Sequence, residues 1–209
     1  MKVNKKLMIL TTAICLLPMF LGITLYDALP DLIPSQWGTS GEISSYMSKN
    51  GMVFYMPVFM VFCNLAVHAA FYVDPKKQNQ SETLKKISAF IVPVISMIFI
   101  PLSFLAGLGV NINIVPIAML IVGVSFMLIG NYMPKCRQNY TMGIRIPWTL
   151  HSEENWNRTH RMAGKLWTAG GIIIIVSTWF DMHLAIIPVM IVIVGIPLVY
   201  SYMLYRKGV

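Results

Sequence analysis

Two histidines and two adjacent glutamates are the residues whose types could support chemistry. His151 and His160 flank Glu153 and Glu154, and imidazole with carboxylate is a common ligand set for zinc. The spacing matches neither HExxH nor a related helical pair that would place two ligands and a base on one face. No GxSxG elbow, glycine-rich phosphate loop or acidic pair within an apolar stretch is present either. We therefore predict no metal site, no cofactor and no enzymatic activity.

A second polar pair, Asn64 and His68, lies within an apolar stretch of the chain. The two residues are four apart, which places them on one face of a helix. They could line a transport pathway, but no Asp, Glu, Lys or Arg accompanies them, and such residues mark ion and proton pathways in membranes. We predict that they form hydrogen bonds between helices, with a transport site as the alternative.

Apolar segments must position these side chains. The chain has 209 residues, of which 56% are hydrophobic and 11% charged, and its mean hydropathy is +0.67, whereas an average soluble domain carries about 25% charged residues. Six stretches approach the ~20 residues that cross a bilayer, and prolines within them are tolerated in membrane helices. The predicted fold is an all-α integral membrane protein with six transmembrane helices. The predicted spans are 7–26, 52–73, 87–106, 114–133, 166–180 and 184–205.

The basic residues indicate how the chain is oriented in the membrane. If the N-terminus is cytoplasmic, only Lys49 of the 16 Lys and Arg residues falls outside, and Lys2 begins the cytoplasmic set. This distribution follows the positive-inside rule, so both termini are predicted to be cytoplasmic in a bacterial cell membrane. Topology alone explains most of the basic charge, and we predict no direct contact with nucleic acid.

The loop 27–50, predicted to lie outside, contains LPDLIPSQWGTSGE. Its prolines oppose helix and its glycines permit turns, so we expect an ordered, non-helical element. Leu29, Ile33 and Trp37 are expected to be apolar anchors near the headgroup layer, a position that Trp prefers. The loop is interpreted either as a cap on the membrane helices or as a surface that contacts a ligand.

The segment 131–167, predicted to be cytoplasmic and called here the signature segment, is denser in polar residues. Gly143 and Pro147 favour turns in its middle, and Ser152 can cap a helix that begins at Glu153. An interfacial amphipathic helix is predicted before the fifth span, with the face Trp156, His160, Ala163 and Trp167 turned inward and Arg158, Arg161 and Lys165 turned away. Asn131 can bond freed backbone groups, and Arg145 can pair with Glu153 or Glu154. The segment either locks beneath the helices or docks a cytoplasmic protein.

Both loops carry a resemblance to a known family. The stretch GNYMPKCRQNYTMGIRIPWTLHSEENWNRTHRMAGKLW resembles the signature of the SdpI family, immunity proteins against the sporulation-delaying-protein toxin. The stretch LPDLIPSQWGTSGE resembles DUF1648, a small domain of unknown function that often precedes that signature. The resemblance covers nearly the whole chain. It divides the chain into residues 1–73, with the DUF1648-like loop, and 74–209, with the signature segment.

The resemblance implies a membrane protein that protects the producing cell from a secreted peptide toxin. In the best-known members, the toxin-engaged protein also holds a small cytoplasmic repressor of the ArsR type at the membrane, which derepresses the immunity operon. The positions that match the family signature are Asn131, Pro134, Lys135, Asn139, Gly143, Arg145, Pro147, Trp148, Thr149, Glu153, Trp156, Thr159, His160, Arg161 and Gly164.

A division of labour between the loops fits the predicted topology. In this hypothesis the signature segment meets the repressor and the loop 27–50 meets the toxin. The positions expected to face the toxin are Pro30, Ile33, Pro34, Trp37 and Gly41. The expected partners are therefore the lipid bilayer, a secreted peptide toxin and a cytoplasmic repressor. The alternative functions are a small membrane transporter and an envelope-stress membrane protein that has no toxin ligand.

Overall fold

A computed structural model describes residues 5–209, so Lys2 lies outside the described residues. Within this range the chain has six helices that are long and apolar enough to cross a membrane, as predicted. The helices α1 to α7 are Lys5–Thr24, Met56–Val73, Glu82–Gly107, Ile114–Tyr132, Pro147–His151, Glu153–Trp179 and Ile186–Arg206. The short helix α5 is the one that does not span. A π-helical turn, Gly51–Tyr55, leads directly into α2.

The fifth span differs most from its predicted bounds. The predicted amphipathic helix leads into the fifth span without a break, and the two form one continuous helix, α6. Ser152 caps this helix as predicted, since its hydroxyl oxygen accepts a hydrogen bond from the Asn155 backbone N–H at 3.1 Å. Prolines within α1, α3 and α7 do not end those helices.

The chain forms two compact units. One contains the described part of residues 2–69 together with Ser88–Val115, and the other contains Ala70–Ile87 and Pro116–Val209. The first unit has a core in which the loop 27–50 takes part. The buried residues of that core are Leu29, Ile33, Met52, Val53, Ile100 and Phe104.

The loop 27–50 contains an antiparallel hairpin of β1, Leu32–Trp37, and β2, Ile43–Ser48. It is ordered and non-helical as expected, although the sequence pattern did not predict strands. Pro34 cannot donate a ladder hydrogen bond, but a two-stranded sheet consists of edge strands, where proline is tolerated. Leu29 and Ile33, expected near the lipid headgroups, are instead 3% and 0% exposed. That prediction was wrong because both side chains fill the protein core.

Glycines bring α4 and α6 of the second unit into very close contact. Gly123 and Gly130 on α4 face Gly171 and Gly164 on α6, so that each helix presents two glycines seven residues apart. A Cβ atom on Gly164 would lie 2.7 Å from the Gly130 carbonyl oxygen. Small residues allow membrane helices to approach in this way. Gly164, one of the signature positions, therefore has a packing role.

We expect Gly164→Ala to lower the free energy of unfolding by about 1–3 kcal/mol, the usual cost of overpacking a tight contact. Gly195→Ala is the matched control, because a Cβ atom there meets nothing within 4 Å. Thermal unfolding of the purified proteins in detergent measures both effects. Equal unfolding temperatures for the two variants would contradict the glycine contact.

Candidate functional site

The carboxylate of Asp74, directly after α2, binds residues 140 and 141 of the signature segment. The residue is 3% exposed, and its side chain accepts hydrogen bonds from neutral donors. Two donors belong to the signature segment: the Thr141 hydroxyl at 2.6 Å and the Tyr140 backbone N–H at 3.0 Å. The others are the Gln80 amide at 2.9 Å and the Lys76 backbone N–H at 2.8 Å. Asp74 was not selected from the sequence, because its two partners in the signature segment are 66 and 67 residues away.

Hydrogen bonding decides the protonation state of Asp74. Burial raises the pKa of this carboxyl, but the four donated hydrogen bonds lower it more, so that the net pKa lies below the ordinary 3.8. A carboxylate that accepts several hydrogen bonds is favoured in its charged form. Asp74 is therefore an ionised anchor for the residues 140–141.

Asn139 and Gln138 form hydrogen bonds with other backbone groups of the signature segment. The Asn139 side-chain oxygen accepts from the backbone N–H groups of Thr141 and Met142 at 2.9 and 2.7 Å, while its amide donates to the Arg137 carbonyl at 2.8 Å. The Gln138 amide donates to the carbonyls of Thr149 and Leu150 at 2.8 and 2.9 Å. Amide side chains thus take the place of secondary structure in this stretch.

Trp156 and His160 fix the loop from the side of α6. Both are buried and their rings stack 3.9 Å apart between centroids. The Trp156 indole N–H donates to the Cys136 carbonyl at 2.7 Å. The His160 Nδ1 donates to the Trp156 carbonyl at 2.8 Å, and its Nε2 accepts from the Ile144 backbone N–H at 2.9 Å. Since Nε2 accepts a hydrogen bond from a backbone amide, it carries no proton, and the ring is a neutral structural group.

Position 143 requires a glycine, because the His160 ring lies directly against its backbone. Its φ of +95° belongs to the left-handed region, and a Cβ atom would lie 2.3 Å from His160 Nε2. A side chain here would be strained in its backbone and would displace the imidazole. The predicted turn at Gly143 is confirmed.

The helix α5 is held at both of its faces. The Thr149 hydroxyl accepts from the Ile146 backbone N–H at 3.1 Å, and it lies 2.8 Å from the Ile144 carbonyl oxygen. The Trp148 ring packs edge-on against Tyr202 and stacks on Tyr205, with centroids 5.5 and 6.0 Å apart. Trp148 is half-buried, so one part of its surface remains accessible.

Asn155 joins α6 to α7 and was not selected from the sequence. Its amide donates to the Ser201 carbonyl at 3.0 Å, and its oxygen accepts from the hydroxyls of Ser201 and Thr159 at 2.5 and 3.2 Å. All three residues are buried. Thr159 therefore belongs to a hydrogen-bond network between α6 and α7. The sequence feature that could have predicted this network is Ser201, the single serine in the apolar span 184–205.

The signature residues divide into buried and exposed groups. The buried positions are Asn139, Thr149, Trp156, Thr159, His160 and Gly164. The exposed positions are Asn131, Pro134, Lys135, Gly143, Arg145, Pro147, Glu153 and Arg161. The predicted amphipathic faces are confirmed, because Trp156, His160 and Ala163 are buried and Trp167 is half-buried. The residues Arg158, Arg161 and Lys165 are exposed.

Two predicted interactions of polar residues are wrong. The Arg145 guanidinium donates to the Tyr140 carbonyl at 2.6 Å rather than pairing with a glutamate, and Glu154 pairs with Arg158 one turn along α6. Asn131 forms no hydrogen bond with freed backbone groups in the described part of the chain, although α4 ends one residue later at Tyr132. Arg145 and Asn131 therefore present polar groups at the surface.

The positions expected to face a toxin are also divided. Ile33 and Pro34 are buried, whereas Pro30 and Trp37 are half-buried. Gly41 is at the hairpin turn with φ of +89°, and a Cβ atom there would lie 3.0 Å from Asn113 Oδ1. Ile33 and Pro34 position the hairpin and cannot contact a partner directly.

Asn64 and His68 form the hydrogen bonds between helices that their spacing predicts. The Asn64 amide donates to the hydroxyls of Thr11 and Thr12, each at 3.1 Å, and His68 Nε2 lies 3.0 Å from the Thr11 hydroxyl. These contacts join α2 to α1. Over residues 5–209, no group of three His, Cys, Asp or Glu side chains could hold a metal ion.

The helices and the two loops define a multi-pass protein of the bacterial cell membrane. Residues 135–201 match the model of the SdpI/YfhL protein family, and residues 13–61 match a domain of unknown function, DUF1648. The chain is 33% identical over 204 residues to Immunity protein SdpI of Bacillus subtilis (strain 168), which covers 95% of this chain and 96% of the relative. The chain therefore belongs to the SdpI/YfhL protein family. No solved structure matches it.

Asp74→Asn tests the anchor. The change places an amide N–H₂ against groups that donate, and we expect a loss of about 1.5–3 kcal/mol, the worth of a hydrogen bond to a charged group. Trypsin should cleave faster at Arg137 and Arg145, which are exposed on either side of the anchored stretch. Asp31→Asn is the control, because that carboxylate is fully exposed.

The same variant should change the dependence of stability on pH. Because the folded-state pKa of Asp74 is depressed, its contribution is present above 3.8 and is lost as the pH falls through the folded value. The wild type should lose stability in this acidic window, and Asp74→Asn should lack that part of the loss. Parallel acid profiles for the two proteins would show that folding does not lower the pKa of this carboxyl.

Proposed function

We propose that this chain is a membrane immunity protein that protects the cell carrying it from a secreted peptide toxin. The observation that carries the proposal is the similarity over nearly the full length of both chains to a relative named an immunity protein. Both loops contribute, since the family matches include the hairpin and most of the signature segment. The buried hydrogen bonds of His160 and Asp74 support a non-enzymatic role, because they use these groups to fix backbone.

The proposed orientation has the hairpin outside the cell and the signature segment in the cytoplasm. The support is the positive-inside rule, since Lys49 is the one basic residue that this orientation leaves outside. A secreted toxin would then meet the hairpin first. A cytoplasmic protein would meet the signature segment.

The hairpin supports contact with an apolar peptide. Leu32 and Tyr46 on its strands are 61% and 54% exposed, and Trp37 is half-buried at the end of β1. Large aromatic side chains with accessible faces are common anchors in protein interfaces. In this proposal Trp37 and Tyr46 contact the toxin, while Ile33 holds the hairpin on the core beneath.

Trp37→Ala is expected to reduce protection without affecting membrane insertion. Loss of a central aromatic anchor weakens binding by about 2 kcal/mol, or roughly 30-fold. The measurement is the survival of a toxin-sensitive bacterium that expresses the chain and receives a secreted peptide toxin from a related producer. Trp179→Ala is the matched control, because that tryptophan is 78% exposed and lies outside the hairpin.

The amount of each variant in the membrane fraction is measured in the same cells. If the wild type gives no protection against any related toxin, the immunity function is wrong. If the wild type protects and both Trp37→Ala and Tyr46→Ala protect equally well, the hairpin is not the toxin contact.

We further propose that the signature segment recruits a cytoplasmic repressor when toxin is engaged. The support is that the segment has a fixed backbone but also exposes side chains. Arg145 and Pro147 are exposed, and they lie beside the half-buried Trp148. A preorganised surface binds with a smaller entropic cost than a mobile loop. The exposed signature residues are thus available to a partner, whereas the buried ones hold the surface in place.

Arg145→Ala and Trp148→Ala are expected to abolish recruitment of the partner to the membrane while the chain stays inserted. Arg145 would contribute a charged, exposed contact and Trp148 an aromatic one, both typical of residues that dominate interfaces. A fluorescent fusion of an ArsR-type repressor from the same bacterium, followed by microscopy after addition of toxin, measures recruitment. Lys86→Ala is the control, an exposed basic residue outside the signature segment. Normal recruitment by both variants would refute this part of the proposal.

A further inference from the structure

The apolar part of α6 is short for a membrane span. Lys165 is the last charged residue before the apolar stretch, and exposed Trp179 and Phe180 precede Asp181 at the other end. The residues 166–180 rise by about 22 Å, whereas the hydrocarbon core is about 30 Å thick. About 20 residues are needed to cross it, and counted back from Phe180 these reach Arg161. Arg161 therefore lies at the boundary with the lipid headgroups. Lys165 lies about 6 Å deeper, and its long side chain can extend to the headgroups.

A groove of about 780 Å³ opens at this level between α6 and α7. Arg158, Arg161 and Lys165 line it from one face of α6, and Tyr200 lines it from α7. The groove also contains Glu153 and Glu154, but these lie at the start of α6. At 1.5 Å per residue, Glu153 is about 18 Å along the helix axis from Lys165. The end nearer the apolar stretch is therefore the basic end.

Two of the three basic side chains have no counter-ion. Arg158 pairs with Glu154, whereas no carboxylate in the described residues 5–209 pairs with Arg161 or Lys165. Cations near the hydrocarbon boundary extend toward the interface and find partners there. The guanidinium fork of Arg161 matches phosphate oxygens, and Lys165 supplies a second positive charge.

We propose that the basic end of this groove binds the phosphate of an anionic glycerophospholipid. Arg161 and Lys165 neutralise the phosphate, and the Tyr200 hydroxyl is placed on the facing helix to donate a hydrogen bond. The two uncompensated positive charges favour a headgroup with net negative charge over a zwitterionic one, whose ammonium group they would repel. The inference does not depend on the toxin or on a repressor.

The test uses the full chain purified in a neutral detergent, with phosphatidylglycerol as the probe and phosphatidylcholine as the comparison. Native mass spectrometry over a lipid titration gives an apparent affinity for each. Arg161→Gln and Lys165→Gln should each weaken phosphatidylglycerol binding about fivefold, the effect of one basic residue near an anionic surface. Arg161→Lys keeps the charge but lacks the guanidinium fork, so it should weaken binding less than Arg161→Gln does. Lys86→Gln is the control outside the groove. Unchanged circular dichroism establishes that each variant is folded.

Several outcomes would overturn the proposal. Equal affinity for the two lipids would mean that the groove does not select negative charge. Unchanged phosphatidylglycerol binding by the double variant Arg161→Gln/Lys165→Gln would place the lipid elsewhere. Displacement of the lipid by millimolar inorganic phosphate would identify a site for free phosphate rather than a lipid site. Selective binding that the double variant loses and phosphate does not displace supports the lipid headgroup.

Discussion

The backbone of residues 136–146 has neither helix nor strand to satisfy its polar groups, and this constraint determines most of the second unit. Unpaired backbone groups that are buried beside apolar helices cost several kcal/mol each. Side chains supply the missing partners: Asp74 binds the Tyr140 backbone N–H, Asn139 binds that of Thr141, and His160 binds that of Ile144. Each of these side chains is buried, so the loop is fixed in one conformation.

This requirement explains why polar residues dominate a segment that needs no catalysis. Trp156 donates to the Cys136 carbonyl and Gly143 leaves room for the His160 ring. A buried polar group that is fully satisfied specifies one structure, whereas a partly satisfied one destabilises it. About half of the signature positions serve this purpose, and the remaining exposed positions are the ones that a partner can reach.

Helices and local contacts could be predicted from the sequence because their signals are local. Asn64 and His68 are four residues apart, Trp156 and His160 likewise, and Ser152 lies directly before its helix. Asp74 and Thr141 are 67 residues apart, and no periodic pattern connects them. Glu153 and Glu154 were the predicted partners of Arg145, but its guanidinium donates to the Tyr140 carbonyl instead. The hairpin could not be predicted from the sequence for two reasons. Pro34 is unfavourable in a central strand, and the register shifts in β1 disturb the alternation of side chains between the two faces.

The continuity of α6 connects the locked loop to the membrane. One face of this helix carries Trp156 and His160, which hold the loop, and Gly164, which contacts α4 through backbone atoms. An unbroken helix has a fixed rise per residue, so its two ends lie at a fixed distance from each other. The depth of the apolar stretch in the bilayer therefore determines how far the loop 136–146 lies from the membrane. The basic face opposite resists further insertion, because charged side chains are costly in hydrocarbon. The exposed residues beside α5 are therefore presented at a defined distance from the membrane surface.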